Sequence, residues 1–242
     1  MDNITIYYPE SDFGGFTDID GTVAFYFRVN SFIHSSSVVL DVGCGSGSSI
    51  EELIPVKQKL RIFKGKCKKI IGIDVDENAS KNPFCDEFRL IKGDCWPLKN
   101  HSVDICICDN VLEHVDDLKI FFSECQRVIK TGGYLFIRTP NALSYIGLFS
   151  KMIPNRFHSF VASKVQKERK KESVFPAYYR CNTIRKIRNM LNKYGFYSCV
   201  YGYEAEPSYL SFSRLFYFLG IIHQRFAPKV LKAAIFAYGR KI

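Results

Sequence analysis

Five apolar, β-branched runs punctuate the first 140 positions: VVLDV at 38–42, KIIGI at 69–73, EFRLI at 87–91, VDICIC at 103–108 and GYLFIR at 133–138. They are near-continuous rather than cleanly alternating, the pattern of parallel strands covered on both faces. Between them the spacing predicts helices over 46–54, 116–130 and 182–194. The second places Leu118, Phe121, Phe122, Cys125, Val128 and Ile129 on one stripe and stops at Lys130-Thr131-Gly132-Gly133. Two later runs, FYSCVYGY at 196–203 and AIFAYG at 234–239, read as a final pair of strands, with an aromatic, helical 207–227 between them. Pro55–Lys69 reads as a basic excursion between the first helix and the second strand. The alternation predicts a doubly wound, Rossmann-like, seven-stranded, mostly parallel sheet in three α/β/α layers with a helical, aromatic C-terminal elaboration. No repeat or linker divides the chain, so one domain is expected over 1–242.

Composition narrows the class. At 242 residues and 47% hydrophobic content the chain can bury a full core. No apolar run is long enough to cross a bilayer, and the polar, acidic start MDNITIYYPESD does not read as a secretory signal. The nine cysteines lack CxxC spacing, and Cys106 and Cys108 share one face of a strand, which fits reduced thiols and a cytoplasmic setting. The net charge of +10 sits in the back half: residues 151–190 carry +9 and residues 207–242 carry +6. An acidic substrate, a membrane surface, nucleic acid or a plain solvated helix face would each account for it.

The chemistry concentrates at VVLDVGCGSGSS, 38–49. A buried strand runs into Asp41, and Gly43, Gly45 and Gly47 then turn the backbone with few side chains in the way, so that main-chain amides face a cleft suited to a nucleotide-like ligand. Asp74, Asp94 and the pair Asp109–Asn110 each follow a later strand, on the edge of the sheet where ligands of open α/β folds bind. One such Asp is usually a cap or turn residue. Four in register with GxGxG make a site.

VLDVGCGSG, GIDVD, GDCWPL, DNVLEHV and RVIKTGGYLFIRTPN together resemble the successive motifs of class I S-adenosylmethionine-dependent methyltransferases, in the manner of the ubiquinone-biosynthesis and glycan-modifying O-methyltransferases. The resemblance covers about residues 20–141. It implies that Asp41, Gly43, Cys44, Gly45 and Gly47 surround the methionine part of S-adenosylmethionine. Asp74 would hold the ribose hydroxyls, Val75 would lie on adenine, and Asp94, Cys95 and Trp96 would address the adenine edge and face. Asp109, Asn110 and Val111 would form the floor beneath the methyl donor. The single domain then divides into a cap segment (1–37), a cofactor core (38–141) and an acceptor-side lid with the last two strands (142–242).

An alcohol acceptor needs a base near its proton. Candidates are His114, with Glu113 beside it, then His158 and Tyr178. Asn155, Arg156, Tyr179 and Arg180 suit a phosphate, carboxylate or sugar. For each, ordinary capping or packing is the competing reading. Some quinone-pathway relatives are thought to bind a divalent metal through Glu-x-x-Glu-His here. Asn110 replaces the first acid, so no metal is expected. The expected partner is a small-molecule or glycan acceptor, not nucleic acid. YLSFSRLFYFLGII, 209–222, reads as a core or homodimer helix first and as a peripheral membrane contact through 207–232 second. Two other functions stay open on sequence: a nicotinamide-dependent oxidoreductase on the same fold, and a basic nucleic-acid- or membrane-binding module without turnover.

Overall fold

The structure, a computed structural model, describes residues 3–147 and 175–242. All seven expected strands form: β1 (Val38–Val42), β2 (Lys69–Asp74), β3 (Glu87–Leu90), β4 (Val103–Asp109), β5 (Ile129–Pro140), β6 (Phe196–Tyr203) and β7 (Ala234–Lys241). They lie in one sheet in the order β3-β2-β1-β4-β5-β7-β6. The first five are parallel, and β7 runs antiparallel between β5 and β6. The register sets Asp41 between Gly72 and Ile107, and Asp109 directly beside Arg138.

Side chains alternate across the sheet, and both faces are apolar. On one face Val39, Ile70, Ile105, Ile107 and Phe136 pack with Phe25 and Val29 of α2 (Gly21–Asn30) and with Phe63, which follows α3 (Pro55–Arg61). On the other, Leu40, Ile71, Cys106, Cys108 and Leu135 pack with Phe122 and Val128 of α4 (Leu118–Val128) and Leu191 of α5 (Ile184–Lys193). A short α1 (Asn3–Tyr7) lies against α6 (Arg214–Phe226), where Tyr7 and Tyr217 rings are 5.7 Å apart. Two helix starts are capped by an aspartate. Asp20 accepts from the amides of Thr22 and Val23 at α2, and Asp117 accepts from Lys119 and Ile120 at α4.

One expected helix is replaced. Residues 46–54 form a short 3₁₀ turn, Ser48–Glu51, and the α-helix begins at Pro55, inside the segment read as an excursion. Pro55 has no amide to donate and a φ already set for a first helical turn, so it starts a helix where it would break one. The helix expected across 207–227 divides similarly into a turn at Ser208–Leu210 and α6.

Candidate functional site

The glycine loop between β1 and the 3₁₀ turn is held from three sides. Gly43 and Cys44 donate backbone N–H to the Ile73 carbonyl, at 2.8 and 3.3 Å. The Gly45 amide donates to Asp74 Oδ2 at 3.0 Å, and Asn82 Nδ2 donates to the carbonyls of Cys44 and Gly45. Gly43 and Gly45 have φ of +66° and +54°, where a side chain is strained. Their surroundings differ. A Cβ on Gly43 would stand 2.4 Å from Val111 Cγ2, whereas one on Gly45 would meet nothing within 4 Å. The first glycine is required by packing, and the second leaves the backbone open to a ligand. The Cys44 thiol is pushed well up by its hydrogen bond with Cys85 and then by burial, so it stays a neutral wall rather than a nucleophile.

Three carboxylates converge here. Asp74, at the tip of β2, accepts from Gly45 N and Asp76 N, one on each oxygen, which leaves lone pairs on both for hydroxyls. Val75, the next residue, is 60% exposed, an apolar plate at the rim. Asp109 receives the Arg138 fork, Nε to Oδ1 and Nη2 to Oδ2, both at 2.6 Å. It also receives Tyr26 Oη at 2.7 Å and Asn110 Nδ2 at 3.1 Å. Arg138 is sandwiched against the Phe25 and Tyr26 rings, 5.2 and 5.5 Å from their centres. Burial opposes its charge, and Asp109 more than restores it. Asp109 thus anchors the floor through protein donors. Asp41 lacks such a partner: burial, then Asp109 and also Asp74, with Arg61 opposing, push its carboxyl from 3.8 up to about 7.

The loop after β3 corrects one expectation. Asp94 and Cys95 are exposed, but the Trp96 indole is only 5% exposed and packs edge-on against Phe121 at 5.7 Å. It belongs to the core, because Glu124 accepts from the Trp96 amide at 2.6 Å and draws this segment onto α4. The Cys95 sulfur faces Arg127 Nη2 at 3.8 Å.

Beyond β4 the chain turns at Asn110, whose φ is +55°, into Leu112–His114. Val111 fills the space beneath Gly43. Glu113 is buried and accepts from Thr139 Oγ1 at 2.9 Å, and Asn182 Nδ2 donates to the same hydroxyl at 2.6 Å. Burial raises the Glu113 carboxyl above its ordinary range. The Glu113 carbonyl accepts from the amides of Tyr178 and Tyr179. His114 Nδ1 lies 3.0 Å from the Pro176 carbonyl. Since a carbonyl only accepts, Nδ1 is the donor in this contact. The segment 175–182 therefore forms a strap across this turn.

Among the acceptor-side candidates, Tyr179 is half-buried with φ +52° and a phenol pushed up by burial and Glu113. Tyr178 is exposed beneath the Arg180 guanidinium, and Arg180 pairs with Asp116. Asn155, Arg156 and His158 lie outside the described residues. Tyr26, Asn82, Arg138, Thr139 and Asn182 did not stand out as site residues in the sequence. An arginine inside the buried run LFIR, which demands a partner in its layer, was the available signal for Arg138.

The seven-stranded sheet with helices on both faces is the Rossmann-like fold seen in solved S-adenosylmethionine-dependent methyltransferases. A solved methyltransferase of this kind from Archaeoglobus fulgidus superposes with a TM-score of 0.56 at 18% identity, covering 96% of this chain and 97% of that one. The geranyl diphosphate C-methyltransferase of Streptomyces coelicolor, solved with S-adenosylhomocysteine, superposes with a TM-score of 0.53 at 12% identity, covering 91% and 77%.

Residues 40–137 match the family described as "Methyltransferase domain". A probable S-adenosylmethionine-dependent methyltransferase of Mycolicibacterium smegmatis is 31% identical over 114 residues, which is 44% of this chain and 39% of that protein. The human mitochondrial ubiquinone biosynthesis O-methyltransferase is 36% identical over 131 residues, 48% of this chain and 33% of its own length. The chain thus spans about two fifths of the length of the curated relatives it matches.

Proposed function

We propose that the chain transfers a methyl group from S-adenosylmethionine to a hydroxyl of a sugar, glycolipid or small aromatic acceptor. The observation that carries this reading is the carboxylate cluster at the glycine loop, where burial, then Asp109 and Asp74, push Asp41 up to about 7 against the pull of Arg61. A cationic ligand relieves that cost, and the open space over Gly45 admits it. Asp74 would hold the ribose through its free lone pairs, the exposed Val75 would meet the adenine face, and Val111 would shape the floor. When bound, S-adenosylmethionine supplies an electrophilic sulfonium methyl that needs no further activation.

What remains for the chain itself is to align the acceptor and remove its proton. His114 suits proton removal, because its Nδ1–H donates to Pro176 and the neutral ring then keeps Nε2 as the accepting nitrogen for an acceptor hydroxyl. Tyr179 and the strap 175–182 would bound the acceptor. The oxygen acceptor is favoured by the likeness to proteins named as O-methyltransferases.

Titration calorimetry with S-adenosylhomocysteine tests the donor site. Binding by the wild type and its loss in Asp74→Ala is the expected result, and equal behaviour of the two would overturn it. Incubating extracts with isotopically methyl-labelled S-adenosylmethionine and reading products by mass spectrometry tests the acceptor class. Label on nitrogen or carbon alone would refute a hydroxyl.

A further inference from the structure

The outward face of α6 has no protein partner among the described residues that accounts for its composition. One side of the helix is core: Tyr217 and Ile221 are buried against Tyr8, with Gly220 tucked beside Pro207. The opposite side presents Leu215, Phe216, Leu219, Ile222 and Phe226, all exposed, with Leu215 at 65% and Phe226 at 78%. Phe212, just before the helix, is also exposed, and its ring lies 5.6 Å from Phe216. Helical spacing at 100° per residue gathers 215, 216, 219, 222 and 226 within about 120° of arc. A stripe of this size and content on a protein surface marks an interaction site.

Charge identifies what covers it. Arg214, Arg225 and Lys229 are exposed at the border, and residues 207–242 contain no acidic residue at all. A second copy meeting this face about a two-fold axis would set the same three cations against their own copies, with no carboxylate of the segment to receive them. The chain's other strongly basic segment, 151–190, has the same sign. An anionic lipid surface satisfies both halves: acyl chains take the aromatic and aliphatic stripe, and headgroups take the basic rim. α6, at thirteen residues, is too short to span a bilayer, and no helix among the described residues is long and apolar enough to do so. It is long enough to lie in the interface.

We infer that α6, with Phe212, docks this protein on the surface of an anionic membrane. The inference stands without the methyl-transfer reading, since none of these residues belongs to the donor site. It does join the acceptor side. His223, on the flank of α6, packs edge-on against Tyr145 at 5.0 Å, and Tyr145 follows the C-terminal end of β5, the edge that carries the site. A docked helix and a lipid-linked acceptor would be neighbours.

Co-sedimentation of the full chain with phosphatidylcholine vesicles, with and without a third of phosphatidylglycerol, decides the matter. The protein should pellet with the anionic vesicles and stay in solution with the neutral ones, and added salt should weaken pelleting. L215E/L219E should lower the vesicle partition coefficient at least about tenfold, since each change removes a buried-on-docking apolar side chain. Both positions are exposed, so circular dichroism and melting should match the wild type. Should that variant misfold, R214Q/R225Q/K229Q reads the same interface through its salt dependence. Absence of pelleting with anionic vesicles overturns the inference. So does a dimer in lipid-free light scattering that L215E/L219E converts to monomer.

Discussion

Replacing Asp41 by asparagine isolates the electrostatic cost at the centre of the site. The Asp41 carboxyl rises from 3.8 to about 7 through burial, then through Asp109 and Asp74, against the pull of Arg61. The folded chain therefore binds this proton more tightly than the unfolded chain. Its contribution to stability is full below pH 3.8 and is lost as the pH climbs to about 7. At about 1.4 kcal/mol per tenfold change in proton affinity, the ionised carboxylate costs the ligand-free fold up to about 4 kcal/mol above neutrality. Partial solvent access brings that nearer about 2 kcal/mol. Asp41→Asn keeps the shape and removes the charge, so its stability advantage over the wild type should grow between about pH 5 and pH 8, by several degrees in Tm. Cationic ligands should show the reverse. If Asp41 must be ionised in the complex, wild-type affinity for S-adenosylhomocysteine, which carries an ammonium, should rise about 30-fold from about pH 5.5 to 8, with proton release on binding. The variant should bind weakly and without that slope. Scanning calorimetry and titration calorimetry across the range supply both curves. A Tm difference that stays constant with pH would show that Asp41 does not titrate near neutrality, and the electrostatic case for the cofactor would fall with it.

The two loop glycines should part company. Gly43→Ala, with its Cβ 2.4 Å from Val111, should lose about 2–4 kcal/mol in urea unfolding and recover part of it with Val111→Ala. Gly45→Ala should lose only about 1 kcal/mol yet bind S-adenosylhomocysteine at least about tenfold more weakly in calorimetry. Arg138→Met strands the buried Asp109 carboxylate and should cost about 3–5 kcal/mol in the same unfolding assay, with Arg138→Lys restoring only part because an ammonium lacks the fork. Thr139→Val removes the hydroxyl shared by Glu113 and Asn182, and should cost about 1–2 kcal/mol of stability in chemical unfolding while cofactor affinity holds.

The strands were legible because burial on both faces writes itself as unbroken apolar runs, and β1 and β6 fall on the residues that their runs mark. The strand-end acids were legible because Asp41, Asp74, Asp94 and Asp109 each lie within three residues of the end of a run. Two kinds of feature escaped. Local pattern placed a helix directly after the glycines, but three glycines at positive φ carry the chain too far for an α-helix to begin before Pro55. Tertiary pairing hid the rest. Trp96 beside a strand-end Asp looks like a cleft aromatic, and only the Glu124 carboxylate on its amide turns it into the core. Tyr26 and Arg138 lie more than a hundred residues apart in sequence and meet only across the sheet, at Asp109.

Under the proposed function, the turn from Asp109 to Asp116 ties the donor and acceptor sides into one site. Asp109 is fixed to β5 and α2 through Arg138 and Tyr26, and this sets the height at which Val111 meets Gly43. Two residues on, Glu113 is fixed to β5 again through Thr139, and its carbonyl receives the strap at Tyr178 and Tyr179. His114 holds Pro176, and Asp116 pairs with Arg180, so three residues of the turn, Glu113, His114 and Asp116, grip the same strap. A shift of the donor floor must therefore move the strap, and the only group in the turn with a free ring nitrogen, His114 Nε2, moves with it. Under that function, the acceptor geometry follows from how tightly DNVLEHVDD is tied to β5 on one side and to FPAYYR on the other.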